Sequence, residues 1–444
     1  MQKLLFSLAL LLGLSMTVVA QNDHHGQDDH STETHSTTDD HADHGDHNHA
    51  DHGHDAHAAA ADHGHADGCP CHEGGAEVIE DFDVTSTAFH HIGDANAFHV
   101  WGDIYVPLPC FLYSNDAGWT ITMASAFEMG EHGNGHLAID RYVMVEGSVH
   151  RIADANFPLD KTEVCIAVVD HDGHKEYLVN YKEQCYTIEG KSTLDGGVFG
   201  GGFTSYYDFS ITKKVFTMFL VAFLLVWMFT SIAKAYKQRQ GQAPRGMQGF
   251  MEPIILFLRD EVVHPFIGEK GDKYLPFILT LFFFILGLNL IGQIPFFPGS
   301  ANVTGNLGVT LVLAIFAFLV TNLSGNKHYW EHIFWMPGVP AWVKTILTPV
   351  EFMGVFLKPF TLMLRLFANI TAGHIVMVSF IGLIFIFGES GRSVGGSIGG
   401  ALASIPLTMF MMAIELLVAF IQAFVFALLT ASYIGAAVEE PHHH

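Results

Sequence analysis

Three side chains with chemistry of their own interrupt a mainly apolar stretch of the chain. Arg365, Asn369 and His374 lie within residues 357–374, whose other members are largely suited to lipid. A charge near the middle of a bilayer costs at least ~2.5 kcal/mol on insertion scales, so an arginine there indicates a function. A snorkelling or structurally paired arginine is the alternative interpretation of Arg365 taken alone.

The next long apolar segment, residues 401–437, carries two further polar groups, Glu415 and Gln422. A glycine- and serine-rich linker is predicted between the two segments, at residues 388–400. We therefore expect an antiparallel helical hairpin. At equal depth the residue number rises along one helix as it falls along the other, so the two numbers have a nearly constant sum. One register brings Arg365 level with Gln422 and also His374 level with Glu415.

The angular spacing of these residues predicts one polar stripe on each helix, at about 100° per residue. His374 lies roughly 180° from Arg365 around an ideal helix, so it is not expected in the same stripe. The stripe of the first helix consists of Glu351, Lys358, Arg365 and Asn369, and that of the second consists of Ser404, Thr408, Glu415 and Gln422.

At these residues the sequence resembles subunit a, the static membrane subunit of rotary F-type ATP synthases. The resemblance covers about residues 209–440, roughly half of the chain, and does not include the amino-terminal tail. The matching pieces are Lys358-Pro359, Leu364-Arg-Leu-Phe-Ala-Asn369, Ala372-Gly-His374, and Glu415 together with Gln422-Ala-Phe-Val-Phe-Ala-Leu-Leu-Thr430.

The resemblance implies a role for each matched residue. Arg365 corresponds to the family's essential arginine, and Asn369 and Gln422 correspond to its polar neighbours. His374 and Glu415 correspond to an acid and histidine pair, whose two members are exchanged between these positions in some relatives. Asn369 and Gln422 could equally be interhelical hydrogen-bonding groups, which commonly contribute about 0.6 to 2 kcal/mol.

The resemblance also implies a function. The hairpin would be a proton-translocating stator with two half-channels, working against a rotating ring of small carboxylate-bearing subunits. Glu351 and Lys358 would give possible access to the cytoplasm, or could neutralise each other at the interface. The implied partners are this ring, a peripheral stalk subunit, the soluble ATPase head and the lipid bilayer, with no nucleic acid. No catalytic site and no cofactor are expected in this chain itself.

Two other classes of protein are alternatives. A metal-ion transporter could use a His-rich tail as its collector, but His374 is the only histidine well within a predicted span. An intramembrane hydrolase would need a Ser/His, paired Asp or metalloprotease motif in the spans, and the spans contain none. The sequence leaves open whether the coupled ion is H⁺ or Na⁺.

The amino-terminal part of the chain differs from the rest in composition. Of the formal charge of −24 in 444 residues, most of the acidic residues precede residue 200. Residues 1–20 have a basic Lys3, an apolar core and a small-residue end, which predicts a signal peptide cleaved before Gln21. The region that follows would therefore be exported.

Residues 21–75 are rich in His, Asp, Ala and Gly and have almost no aliphatic residues for a core, which predicts a disordered tail. Its histidines, with Cys69, Cys71 and His72, could bind a transition metal. No fixed ligand spacing recurs, so a solvating tail explains the composition equally well.

Residues 76–196 are predicted to form a small β-rich exported domain. The five cysteines lie on this side of the chain, where disulfides are allowed, and their odd number leaves at least one unpaired or metal-bound. The predicted strands are residues 99–106, 119–122, 137–149, 164–169 and 177–181, with a hairpin turn at 170–174.

A membrane domain is predicted over residues 209–440. A basic cluster at 234–239 follows the first span and marks the cytoplasmic side, so the carboxyl end should also be cytoplasmic. The location would be the bacterial inner membrane. The predicted spans are residues 211–233, 274–294, 306–323, 345–387 and 401–437, with an amphipathic interfacial helix at 248–267 and a polar loop after residue 323.

The predicted fold class is therefore membrane all-α, with five transmembrane helices preceded by the tail and the β-rich domain. The two hairpin helices would extend roughly 60 and 55 Å at 1.5 Å per residue. Because the hydrocarbon layer is only about 30 Å thick, we expect this hairpin to be strongly tilted.

Overall fold

The computed structural model describes residues 93–101, 104–130, 133–171, 174–190, 204–294, 299, 301–336, 339–388 and 393–439. The predicted signal peptide and His-rich tail lie outside these ranges. The same holds for Cys69, Cys71 and His72, the candidate metal ligands of the tail.

The first part of the described chain is built from short antiparallel strands, as the sequence predicts. The strands are β1 Ala97–Trp101, β2 Ile104–Pro107, β3 Pro109–Ser114, β4 Gly118–Met123, β5 Leu137–Ala138, β6 Tyr142–Val145, β7 Ser148–Arg151, β8 Thr162–Glu163, β9 Cys165–His171, β10 His174–Tyr181, β11 Gln184–Thr187 and β12 Tyr206–Asp208. They form small sheets with the orders β1-β2, β11-β10-β9, β12-β3-β4, β5-β8 and β6-β7.

Two predicted strands are wrong because each contains a reversal of the chain. Residues 99–106 divide into β1 and β2, which pair with each other antiparallel. Residues 137–149 divide into β5, β6 and the start of β7, with Glu146 and Gly147 at positive φ between β6 and β7. Two adjacent residues at positive φ are typical of the tight turn that joins two hairpin strands. The predicted hairpin between β9 and β10 is confirmed.

Strand β12 has no counterpart among the predicted strands. It lies after the predicted β-rich domain, which ends at residue 196, and it pairs with β3. The main-chain pairing continues beyond it, because the amides of Phe209 and Ile211 donate to the carbonyls of Phe111 and Pro109. The β-rich region therefore extends almost to the first membrane helix.

The core of the β-rich region contains buried charge as well as apolar groups. Arg151 is 1 % exposed and donates to both carboxylate oxygens of Asp116 at 2.5 Å, and Arg141 donates to the same carboxylate at 2.8 Å. The hydrogen bond from Arg151 lowers the pKa of Asp116 to about 2. Burial raises the pKa of the free Cys110 thiol to about 12, whereas Cys165 and Cys185 are disulfide-bonded.

The second part of the described chain is helical. Its helices are α1 Lys213–Gln238, α2 Met247–Phe257, α3 His264–Ile267, α4 Leu275–Gly292, α5 Leu307–Ser324, α6 Lys327–Phe334, α7 Ala341–Phe387 and α8 Val394–Val438. Five of them, α1, α4, α5, α7 and α8, are long and apolar enough to cross a membrane. The predicted number of spans is therefore confirmed within the described residues.

The helix boundaries follow local capping chemistry. Thr212 caps α1 by accepting from the amide of Val215, and the side chain of Asn306 caps α5 by accepting from the first amides of that helix. The predicted amphipathic helix is helical throughout, but it passes through a π-helical turn, Leu258–Val263, between α2 and α3. It ends at Gly268, whose φ of 81° suits glycine.

Two segments predicted as loops are helical instead. The polar segment after α5 forms α6, whose preceding residue Asn326 donates to the carbonyls of Ala437 and Val438 at the end of α8. Much of the predicted glycine-rich linker belongs to α8, which begins at Val394. The side chain of Ser393 caps this helix by accepting a hydrogen bond from the amide of Gly396. The hairpin is consequently tighter than the sequence indicates.

The packed core of the helical region forms around α4, and α7 lies at the edge of this core. In the most apolar window of α4, 67 % of the residues are buried within the chain, against 11 % in that of α7. Apolar side chains of α1, α4, α5 and α8 dominate the shared core cluster. The long hairpin therefore leaves one side of α7 open, and this side carries residues of the predicted site.

Candidate functional site

In the described membrane region, His374 of α7 and Glu415 of α8 form an enclosed pair of ionisable groups. The Nε2 of His374 lies 3.7 Å from the Oε1 of Glu415, and their side chains are 17 % and 3 % exposed. Within the described residues, neither carboxylate oxygen of Glu415 has a hydrogen-bond partner. The predicted pairing of these two residues at equal depth is confirmed.

A glycine makes room for this pair. A Cβ atom placed on Gly373 would lie 3.0 Å from the Oε1 of Glu415 and 3.3 Å from its carboxyl carbon. A side chain at this position would therefore require the carboxylate to shift by a few tenths of an ångström. This explains physically why glycine precedes the histidine here.

The register of the hairpin can be followed along its length by side-chain contacts. Near the turn, the hydroxyl of Ser404 donates to the carbonyl of Phe380. Towards the other end, the Nζ of Lys358 lies 5.3 Å from the centre of the Tyr433 ring. On α7, Arg365 lies between Lys358 and His374, just as Gln422 lies between Tyr433 and Glu415 on α8.

The two predicted polar stripes face different surroundings. On α8, Ser404, Glu415 and Gln422 are all buried, at 1 %, 3 % and 8 % exposure. On α7, Arg365 and Asn369 are exposed. Arg365 therefore points to the open side of the hairpin, whereas His374 faces Glu415, in agreement with the angle of roughly 180° predicted between them.

Arg365 has no carboxylate partner within the part of the chain that the structure describes. The exposed surface of α7 also carries apolar side chains, including those of Leu357, Phe360 and Leu364, which are 51 %, 50 % and 39 % exposed. An unpaired guanidinium on such a surface favours an anionic group brought by another molecule.

A second polar cluster connects α4 to α8 at Ala419, one helical turn from Glu415. The amide of Asn289 on α4 donates to the carbonyl of Ala419 at 3.4 Å, and its oxygen accepts from the hydroxyl of Thr304 at 2.6 Å. All three groups of this cluster are buried. These bonds give Asn289 a structural role between α4 and α8.

Polar groups also line a narrow cavity at the other end of the hairpin. Lys358 and Glu351 of α7 are both partly buried, and Lys358 reaches the ring of Tyr433. The polar residues that line this cavity are Thr321, Asn322, Tyr329, Lys358 and Tyr433. The sequence does not single out Tyr433, because a tyrosine near the end of an apolar helix carries no distinctive pattern.

The arrangement separates three kinds of polar group along one hairpin. The buried pair His374–Glu415 comes first, counted from the hairpin turn. The exposed Arg365 follows, and the cavity lined by Lys358 and Tyr433 lies beyond it. Acid and imidazole side chains exchange protons near neutral pH, whereas a guanidinium keeps its charge. Such a series suits proton movement in two separate routes.

Metal binding has little basis in the described residues. They contain no group of three or more His, Cys, Asp or Glu side chains placed to hold a metal ion. The metal ligands considered from the sequence, Cys69, Cys71 and His72, lie outside the described ranges.

Comparison with known proteins divides the chain at the first span. Residues 215–435 match the family model of the ATP synthase A chain. Residues 87–171, in the β-rich region, match a family model described only as a domain of unknown function.

Curated relatives support the assignment of the membrane region. ATP synthase subunit a of Chloroherpeton thalassium is 42 % identical over 243 residues, which cover 53 % of this chain and 69 % of that protein. Subunit a of Myxococcus xanthus is 41 % identical over 244 residues, covering 53 % of this chain and 76 % of the relative. The chain therefore belongs to the ATP synthase subunit a family, the proton-translocating stator subunits of the F0 sector.

Proposed function

We propose that Arg365, Asn369, His374, Glu415 and Gln422 form the proton path of this stator. The observation that carries the proposal is a contrast in exposure. His374 and Glu415 form a buried pair, 3.7 Å apart, which suits proton relay inside the protein. Arg365 is exposed on the open side of α7, which suits contact with a partner that moves past it.

The His374–Glu415 pair lies nearer the hairpin turn than Arg365 does. We assign the turn to the exported side, because the basic residues after α1 favour the cytoplasm for the end of that span. The amino-terminal region would then be exported and the carboxyl end cytoplasmic, in a bacterial inner membrane. A proton would enter from outside past Glu415 and His374.

The partner at Arg365 would be a ring of small membrane subunits, each with a buried carboxylate. A proton from the outer route neutralises one carboxylate, which can then face lipid. An ionised carboxylate instead meets the guanidinium of Arg365, whose charge is fixed at any accessible pH. Arg365 thereby attracts the ionised carboxylate and blocks a direct leak between the two routes.

The cytoplasmic route would lie towards Lys358 and Glu351. Both residues are partly buried near the cavity end of α7, on the far side of Arg365 from His374. A proton released from the ring would reach the cytoplasm here.

The finer architecture is part of the same proposal. With 47 and 45 residues, α7 and α8 would be about 70 Å long as straight helices, more than twice the hydrocarbon thickness. A strong tilt of both helices accommodates this length. We further propose a cleaved signal peptide at 1–20, a disordered tail at 21–75, and a peripheral stalk subunit and soluble ATPase head as further partners.

Transport of metal ions is the weaker candidate. Its basis is the composition of the tail, whereas the relatives named above are all subunits of ATP synthase. We therefore treat metal handling by the tail as separate from the proton path.

The proposal is tested by replacing Arg365 with Ala or Lys in the complete enzyme. We expect loss of proton-driven ATP synthesis with assembly of the complex unchanged, measured in inverted vesicles with subunit content checked by mass spectrometry. Arg239→Ala is the matched control, because Arg239 is an exposed arginine at the end of α1. Normal coupled synthesis by Arg365→Ala vesicles would overturn the assignment.

A further inference from the structure

The sheet β12-β3-β4 has an outward face made almost entirely of apolar and aromatic side chains. Residues directly opposite each other in antiparallel strands point to the same face, so the register defines three rows across the sheet. The rows are Tyr207–Tyr113–Trp119, Phe209–Phe111–Ile121 and Ile211–Pro109–Met123. We call these nine residues the aromatic face.

The opposite side of the same sheet already covers a core. Cys110, Leu112 and Tyr206 alternate with members of the aromatic face along their strands, and all three are fully buried. An antiparallel sheet with one face on a core normally presents polar groups on the other. Here the outward face is apolar as well, although Ile121, Trp119 and Phe209 are 69 %, 60 % and 50 % exposed.

The aromatic rings on this face are arranged as one cluster. The ring of Tyr113 lies 5.2 Å from that of Trp119 and 6.5 Å from that of Tyr207, and Trp119 lies 5.8 Å from Phe209. The four rings line an open groove of about 470 Å³. Exposed apolar patches of this kind mark a contact with another phase or molecule.

The aromatic face continues into the membrane region of the chain. Main-chain bonding between Ile211 and Pro109 places its last row two residues before α1, a distance of about 7 Å along an extended strand. Ile211 itself packs against the apolar core of the helical bundle. On α1, the large apolar side chains of Phe219, Phe223 and Trp227 remain exposed on the surface of the bundle.

We infer that the aromatic face rests in the interfacial layer of the lipid bilayer, on the side where α1 begins. The face ends two residues before α1, a helix long and apolar enough to cross a membrane, and this closeness to the start of a span identifies the bilayer as the occupant. The composition agrees, because Trp and Tyr are enriched where the hydrocarbon meets the headgroups, and none of the nine residues is charged. The β-rich region is then a membrane-associated domain and not one held away from the surface.

Spin labels at single cysteines test this in the full chain, reconstituted in liposomes of phosphatidylethanolamine and phosphatidylglycerol. Cys69 and Cys71 are first replaced by Ser. Cys110 can stay, because burial and its raised pKa make the thiol unreactive, and the disulfide-bonded Cys165 and Cys185 offer no thiol. The test labels are Ile121→Cys and Met123→Cys, both at exposed positions.

Two further labels calibrate the measurement of depth. Phe223→Cys, at a position 67 % exposed on α1, reports the hydrocarbon, and Glu163→Cys, at an exposed position on β8, reports water. Power saturation compares collision with oxygen, which concentrates in lipid, and with a water-soluble nickel chelate. We expect both test labels to show oxygen-to-nickel ratios between those of the two references.

Two results would overturn the inference. Ratios equal to that of the Glu163→Cys label would place the aromatic face in water. Low accessibility to both reagents would mean that protein, such as a second copy of the chain, covers it. Because two positions are labelled, misfolding of one variant leaves the other informative, and a matching far-ultraviolet circular dichroism spectrum verifies the fold of each.

Discussion

The imidazole of His374 meets the carboxylate of Glu415 across the hairpin, at 3.7 Å and almost shielded from solvent. Groups this close inside a membrane protein do not titrate independently, because the charge on each changes the energy of the charge on the other. The pair therefore has to be treated as one unit that holds one acid and one imidazole.

Exchange of the two residues is the first prediction. The double variant His374→Glu with Glu415→His should retain more proton-driven ATP synthesis than either single variant. The His374→Glu change alone leaves two carboxylates that repel each other, and Glu415→His alone leaves two imidazoles. We expect a coupling of ~1 kcal/mol or more, about fivefold in rate, measured as a complete cycle of four enzymes. Additive losses would mean that the two side chains do not interact.

Two neighbouring glycines at the start of α8 provide the second prediction. A Cβ atom on Gly396 would collide with the carbonyl oxygen of Phe387, whereas nothing lies within 4 Å of one on Gly395. Gly396→Ala should destabilise the hairpin by about 1 to 3 kcal/mol, as overpacking does. Gly395→Ala should be neutral or slightly stabilising, because alanine favours a helix by up to ~1 kcal/mol.

The measurement for this pair is the thermal unfolding midpoint in detergent, with assembly into the complete enzyme as a second readout. Both positions lie in the first helical turn of α8, so the comparison holds helix position nearly constant. Equal midpoints for the two variants would contradict the close approach of the helices at Gly396.

The third prediction concerns the polar cluster at Asn289. Asn289→Ala leaves the hydroxyl of Thr304 and the carbonyl of Ala419 without this partner, which should cost about 1 to 3 kcal/mol of stability. Thr280→Val is a matched control in the same helix, because the buried hydroxyl of Thr280 bonds to the carbonyl of Pro276, one turn back in α4. Thermal unfolding should separate the two variants, and a loss for Thr280→Val as large as that for Asn289→Ala would contradict this account.

The fourth prediction is the pH dependence of the β-rich region. Folding lowers the pKa of Asp116 from 3.8 to about 2 through its hydrogen bond with Arg151. A depressed pKa contributes stability that is fully present above about pH 4 and is lost as the pH falls through about 2. Hydrogen exchange of the β3–β4 and β6–β7 peptides in the full chain, corrected for the intrinsic rate, should therefore accelerate over this range.

Asp116→Asn is the control for the pH effect. It leaves Arg151 buried without its counterion, so protection should already be lower at pH 7, with a weaker change between pH 4 and pH 2. An unchanged pH profile in this variant would show that other carboxyl groups govern the acid sensitivity.

The sequence contains enough information for the spans and for the pairing inside the hairpin. Apolar runs of sufficient length predict the five membrane helices, and the facing of His374 and Glu415 follows from a constant sum of residue numbers. Both succeed because a helix has a fixed rise and a fixed angle per residue. The exposure of Arg365 follows less directly, since it depends on which side of α7 the other helices leave open.

Features that depend on distant partners were not predictable. Strand β12 forms because Tyr207 meets Tyr113 across 94 positions of sequence, and Asp116 meets Arg151 only after the β-rich region has folded. The start of α8 within the glycine-rich segment depends on one serine cap at Ser393. Local composition favours a loop there, and the packing of α8 against α7 overrides it.

The junction between β12 and α1 gives the chain a mechanical property. The amides of Lys213 and Lys214, in the first turn of α1, donate to the carbonyl of Ala95 and to the carboxylate of Asp94. Together with the pairing at Ile211, these bonds clamp the end of the helix to the β-rich region. A change in the inclination of α1 would therefore be transmitted to the β-rich region, and a label on this region would report movement of the helix.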